Sequence, residues 1–243
     1  MRRILTTFFA ALPCLPANAL EHPCARGKLV MSQVSSAGRG NTFRLVGSTR
    51  TFVLADIIAA EIGKTPILPP GPLKVFFNAK RVDRYGAHPA HVFHKGSWLQ
   101  GTMLGLGRAL AYPTGEKSTC WQAVLDAEAK FTAKRDTYWR AQGIEYRASD
   151  LDSLSKKLGH FVVVTGVVRS VGDRKRRLYL NFGENWAQDF TVSVEKQGVG
   201  KFKGSFDFLK TLTNKKVQVR GVLESNRGPL IRVTDETQIQ ISK

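Results

Sequence analysis

The strongest constraint on this chain is a rhythm of short β-branched and aromatic runs, each cut off by a Gly, Ser or Asn turn. The rhythm comes in two blocks. In the first, GKLVMSQVSS (27–36) ends at a turn over Gly38–Asn41, TFRLVGS ends around Gly47–Arg50, and TFVLADII follows through residue 58. The stretch Pro66–Pro72 holds four prolines and one glycine and reads as a loop. LKVFFNAK (73–80) is a fourth strand, Asp83–Gly86 a turn, and AHVFHKG (90–96) a fifth strand.

Helical spacing then takes over. Trp98, Leu99, Thr102, Met103, Leu106 and Leu110 recur at i, i+3 and i+4, and Tyr112–Gly115 breaks the stripe. A second helix is expected from about Lys117 to Arg140, with Trp121 and Trp139 as core anchors. Residues 141–157 are polar and read as a linker. The second block contains HFVVVTGVVRSV (160–171), RLYLNF (177–182), DFTVSV (189–194), a short helix within Phe202–Leu212, KKVQVRGVLES (215–225) and PLIRVTDETQIQIS (229–242). Its order, β-β-β-α-β-β, suits a five-stranded Greek-key barrel of the OB type, and the first block has a similar strand count. The expected class is mainly β (α+β), built of two small OB-type barrels. The boundaries are 20–140 for the first barrel with its helices, 141–157 for the linker and 158–243 for the second barrel.

Residues 1–19, MRRILTTFFAALPCLPANA, have the layout of a secretory signal peptide. Arg2 and Arg3 precede an apolar run from Ile4 to Leu15, and Ala17-Asn18-Ala19 is an A-x-A cleavage site. Pro13 and Pro16 argue against a buried helix there. The expectation is an exported protein, periplasmic or secreted. No later apolar run is long enough to span a membrane. Cleavage removes Cys14, one of three cysteines. Cys24 and Cys120 then form one disulfide in an oxidising compartment, or stay as two buried thiols.

Composition adds one sharp fact. Apolar residues make up 42%, enough for a sizeable core, but 37 Lys+Arg face 19 Asp+Glu, a formal charge of +18. The excess is spread over both blocks. Such a field favours nucleic acid, another polyanion or an anionic surface.

Four segments carry a resemblance: GRGNTFRL (38–45), TFVLADIIAAE (51–61), DRYGAHPAHVF (83–93) and WLQGTMLGLGRALAYP (98–113). In this order they resemble the staphylococcal-nuclease-like (thermonuclease) family, over roughly half the chain. The resemblance implies an OB-like barrel with packed helices and Ca²⁺-dependent cleavage of DNA and RNA. Carried over residue by residue, it also implies that most of the machinery is missing. The first metal aspartate falls on Asn41, the first catalytic arginine on Val53, the second metal acid on Ile58 and the second arginine on Ala87. Only the catalytic glutamate keeps its type, as Glu61. Loss of one transition-state donor costs about 10²–10³ in rate, so losing both arginines and both metal acids leaves essentially none. Asp56 could serve as a displaced ligand if it shared a strand face with Ile58.

The expected function is therefore binding of nucleic acid or another polyanion by a degenerate nuclease domain. One alternative is a working Ca²⁺-dependent nuclease. Another is an envelope scaffold with a protein partner. No cofactor is expected unless the nuclease alternative holds. Candidate contacts in the first barrel are Arg39, Arg44, Arg84, Tyr85 and Tyr112. In the second they are the run Arg174-Lys175-Arg176-Arg177, beside Tyr179, which alternation places opposite the apolar Leu178, Leu180 and Phe182. Trp186 is either a stacking platform or a lid over the barrel end. Bases stacking on aromatics beside basic grooves is how OB folds hold single strands. His88, His91 and His94 sit three apart, and strand alternation sends His91 to the opposite face, so no metal site is expected there.

Overall fold

The computed structural model describes residues 21–38, 41–59, 68–113, 120–131, 143–185, 187–196 and 205–242. Residues 1–19, expected as a signal peptide, and Arg39, Glu61, Trp139 and Trp186 lie outside them.

The structure is mainly β, with two curled sheets. The first is built from β1 (Lys28–Ser32), β2 (Val34–Ala37), β3 (Thr42–Leu45), β4 (Thr51–Leu54), β6 (Leu73–Phe77), β7 (His88–His94) and β8 (Ser97–Trp98). Its main path runs β1-β6-β7-β4-β3-β2. The path begins and ends on one bent segment, because only Gln33 separates β1 from β2. The sheet therefore curls round a core that includes Phe43, Phe52, Leu54, Val75, Val92 and Leu104. Within it, only β4 and β7 pair in parallel.

TFVLADII is not one strand. Asp56 adopts φ 57° and splits it, leaving β5 (Ile57–Ala59) to pair antiparallel with β9 (Ala109–Ala111). The expected helix over 98–110 is correspondingly shorter. Helix α1 is Leu99–Gly105, and Gly107 at φ 68° turns the chain back so that Leu110 lies on a strand. A residue there must tolerate the left-handed region, which glycine does without strain. Helix α2, Trp121–Ala129, buries Trp121, Val124 and Glu128.

Residues 143–157, within the stretch expected as a linker, contribute elements to the second sheet and its core. β10 (Glu145–Arg147) pairs parallel with β11 (Phe161–Val167), and α3 (Leu151–Ser155) sinks Leu154 into the second core. The second sheet adds β12 (Ser170–Asp173), β13 (Arg177–Asn181), β14 (Thr191–Glu195), β15 (Lys216–Asn226), β16 (Gly228–Val233) and β17 (Ile239–Ile241), with α4 (Ser205–Lys210) between β14 and β15. Its path is β10-β11-β15-β16-β14-β13-β12. Again the path returns to a single bent segment, 161–173, and again only the third and fifth of its principal strands, β14 and β16, pair in parallel. The two sheets thus follow the same connectivity.

The sheets meet along a seam. Leu110 and Val163 are buried there, with Ile58, Phe131, Ile144 and Phe161 packed against them. A charged pair lies in the same seam. Arg220 of β15 has no exposed surface. Its Nη1 donates to Glu128 Oε1 of α2 at 3.1 Å and to the Ala111 carbonyl at 2.6 Å. Its Nη2 donates to Glu128 Oε2 at 3.2 Å, Gln218 Oε1 at 2.9 Å and Gln240 Oε1 at 3.1 Å. Glu128 Oε1 also accepts the Ala111 N–H at 2.7 Å. A buried guanidinium is tolerable only with this degree of satisfaction.

Candidate polyanion-binding groove

β12 and β13 are joined by a tight hairpin closed by the Arg174 N–H donating to the Arg177 carbonyl at 2.9 Å. The basic run is not uniform. Arg174, Lys175 and Arg176 are exposed at the tip. Arg177 instead points along the sheet and pairs with Glu195 at 2.9 Å, where Arg232 also binds at 3.0 Å. Arg232 is held above the usual guanidinium range chiefly by its hydrogen bond to Glu224. Asp173, at the base of the hairpin, is held below the usual carboxylate range by hydrogen bonds from Lys196 and then Lys210. The hairpin is thus anchored on both sides, leaving three cations in solvent.

Tyr179 lies at the centre of β13 with Gly172 opposite it in register. Glycine places no side chain over the ring. Leu178, Leu180 and Phe182 are buried in the core behind, while Tyr179 and Asn181 are half-buried on the other face. There a concavity of about 420 Å³ is lined by Arg174, Tyr179, Asn181, Thr191, Asp189 and Arg227, among others. Arg227 sits at the turn between β15 and β16 at φ 70°. It is not among the sequence candidates; the signal for it is the Asn-Arg-Gly turn between two long strands. A wider concavity of about 720 Å³ is lined by Tyr146, Arg147, Arg169, Phe182 and Lys216. Asn181 lines the first and Phe182, which faces the core, lines the second, so the two concavities are separate. The concavity that holds Tyr179 carries Arg174 and Arg227 together with Asp189.

The candidates of the first barrel do not assemble into one site. Arg44 is exposed and its Nε donates to Thr51 Oγ1 at 3.2 Å. Arg84 lies over the ring of Tyr85, 4.7 Å from its centroid, and Tyr85 is 78% exposed. Tyr112 is not an open platform. It is half-buried in the seam, edge-on to Phe161 at 5.2 Å. Burial pushes its phenol up, against a smaller opposing effect of Arg84 and with a further push from Asp235.

The positions where the family resemblance puts catalysis have other surroundings. Asn41 is buried at φ 65°, and Ala87 is buried with its N–H donating to Asp83 Oδ1 at 2.9 Å. Val53 is half-buried, in register with Thr42 and Pro89. Ile58 packs in the seam. Asp56 does not share a strand face with Ile58, since it occupies the turn before β5, and its Oδ2 lies 3.5 Å from His91 Nε2.

Cys24 and Cys120 form a disulfide. His91 Nδ1 lies 3.9 Å from Cys120 Sγ, on the ring edge away from Asp56. His88 and His94 do not join it; His88 Nδ1 is 2.8 Å from the Arg81 carbonyl. No described helix is long and apolar enough to cross a membrane. Neither the family models nor the curated proteins offer a match to this chain.

Proposed function

We propose that this is an exported, thermonuclease-like protein of two OB-type barrels that binds nucleic acid or a related polyanion without efficient hydrolysis. The observation that carries the reading is the groove over β13. Half-buried Tyr179 lines one concavity with Arg174 and Arg227, in a chain of formal charge +18. An aromatic ring that lines a groove can stack on a base, and cations in the same groove track phosphates.

Three further observations support it. Each sheet joins its principal strands in the order first, second, third, fifth, fourth and back to the first, with the third and fifth parallel, which fits an OB-type barrel. The residues at the family's metal and arginine positions, Asn41, Val53, Ile58 and Ala87, carry no charge and are buried or half-buried. A disulfide suits an oxidising compartment, in keeping with export.

The test is binding of labelled single-stranded DNA across a salt series, with Ca²⁺ or chelator on parallel lanes. Affinity is expected to fall log-linearly with salt. Tyr179→Ala should cost about 1–3 kcal/mol of binding, the usual worth of one stacked base. Neutralising Arg174, Lys175 and Arg176 should flatten the salt slope by about 0.7 for each phosphate that is no longer neutralised. Binding that ignores these changes defeats the groove assignment. Chelator-sensitive cleavage would overturn the non-hydrolytic reading.

A further inference from the structure

Three elements remote in sequence bring ligand-type atoms together at one end of the first barrel. Cys24 precedes β1, His91 is the middle residue of β7, and Cys120 is the N-cap of α2. Their ligand atoms all lie within 4.8 Å of one another. Cys24 is 1% exposed and Cys120 2%, while His91 is half-buried at the side from which water and a small thiol reach the cluster.

The imidazole is posed as a metal ligand would be. Nδ1 faces Cys120 Sγ at 3.9 Å, while Nε2 faces the Asp56 carboxylate at 3.5 Å. A carboxylate behind a histidine fixes its tautomer and orientation in metal sites. A zinc ion with Zn–S near 2.3 Å and Zn–N near 2.0 Å has tetrahedral edges of about 3.5–3.8 Å. The His91–Cys120 separation is already close to such an edge. The sulfurs are not, because they are bonded to each other. A disulfide sulfur has no thiolate charge to offer, so the oxidised cluster cannot hold the ion.

We propose that reduction of Cys24–Cys120 turns this cluster into a zinc site, with Cys24 Sγ, Cys120 Sγ and His91 Nδ1 as ligands, Asp56 orienting the imidazole, and water in the fourth position. The reductant is a dithiol. Its thiolate attacks one sulfur, the Cys24–Cys120 bond breaks, and a mixed disulfide forms. Its second thiol displaces the chain's sulfur. Two electrons and two protons have then passed to the chain, and the reductant leaves as a disulfide. Zinc replaces the two thiol protons, which leave to solvent. Soft thiolates with an imidazole suit zinc and exclude Ca²⁺ and Mg²⁺, which require oxygen ligands. His22 supports the site without joining it. Its Nδ1 accepts the Cys24 N–H at 3.2 Å, and its ring packs on Trp98 at 4.8 Å.

The experiment uses the full chain carrying Cys14→Ser, so that Cys24 and Cys120 are its only thiols, reduced with a dithiol, freed of it anaerobically and titrated with Co²⁺ as a spectroscopic stand-in for zinc. Thiol counting verifies the reduction, and far-UV dichroism follows the fold. The expected result is an equimolar thiolate-to-cobalt charge-transfer band with tetrahedral d–d absorption, displaced by Zn²⁺ and missing from the oxidised protein. Asp56→Asn should keep the band and weaken Co²⁺ binding about 10–100-fold. His91→Ala should lose the tetrahedral spectrum. Both variants keep their disulfide, so their folding is checked before reduction. A fully reduced parent chain without the band overturns the proposal, folded or not. So does a His91→Ala spectrum identical to the parent's, which would mean that two thiols alone hold the ion.

Discussion

Arg220 and Glu128 sit 92 residues apart in sequence and end in a bidentate pair with almost no solvent. Removing one partner of such a pair leaves an uncompensated buried charge, at a cost of about 3–5 kcal/mol. Glu128→Leu should lose that much in urea denaturation. The double variant Glu128→Leu/Arg220→Met should recover a large part of it, because two apolar side chains leave no orphan charge. If the double variant instead shows the sum of the single losses, the two residues are not coupled as the geometry requires. His22 gives a second residue-scale prediction. Burial, and then repulsion from His91, hold its pKa below the ordinary 6.5. The unfolded chain therefore takes up a proton near pH 6.5 while the folded chain resists it. The sign follows: this part of the stability is present above pH 6.5 and is lost as pH falls below it. Thermal midpoints measured downward from that pH should fall less steeply in His22→Gln than in the wild type; parallel profiles would refute the assignment. The two kinds of residue also differ in how readable they are. Tyr179 facing away from the core follows from strand alternation alone. Nothing local in VQVRGVLE shows that Arg220 meets an acid, since the pairing is made only when one sheet docks on the helix of the other.

At the scale of elements, the strands are legible because alternation and turn residues are local signals. The failures come mainly from tertiary pairing, which no local signal reports. Leu110 matches a helical stripe, but Gly107 ends the helix and tertiary pairing with β5 makes its segment a strand. The polar stretch 141–157 has too few apolar residues to show a period, yet β10 and α3 attach it to the second sheet through Leu154 and the β11 ladder. The candidate groove is half legible: its hairpin and tyrosine are, but Arg227 enters from a turn that only the sheet path brings alongside. One further local signal, Asp235-x-x-Gln238, is a capping box on a single 3₁₀ turn, Glu236–Gln238. Asp235 Oδ1 accepts the Thr237 N–H at 2.9 Å, and Gln238 Nε2 donates to the Arg220 carbonyl at 3.0 Å. The cap thereby ties the last strand to the one that carries the buried arginine. Asp235→Ala should cost about 0.5–2 kcal/mol, the usual worth of an N-cap. Its urea midpoint should drop with an unchanged m-value, whereas Asp235→Asn, which keeps an accepting side-chain oxygen, should keep most of it. Equal effects from the two would mean that charge near the turn matters and the cap does not.

For the molecule as a whole, the decisive question is whether two curled sheets behave as one folding unit. The seam argues that they do. It joins apolar side chains from both sheets to an ion pair that neither sheet can satisfy alone. The disulfide tests this cleanly, because Cys24 and Cys120 both belong to the first core and close a loop of 96 residues within it. Disulfides typically stabilise by about 2–4 kcal/mol, and by up to about 5 kcal/mol for a loop of that length, chiefly by restricting the unfolded chain. If the sheets opened independently, reduction would weaken only the first. If they open together, the same loss must appear in the second, where no cysteine lies. Native-state hydrogen exchange reads this directly in metal-free buffer, with Val75 in β6 and Val192 in β14 as the reporters, both fully buried. Reduction should lower the opening free energy of both amides by the same amount. Arg220→Ala, which removes the tie, should let the two values separate. A Val192 amide that ignores reduction in the wild type would mean that the seam is a contact between independent units, and the second sheet would then fold without the first.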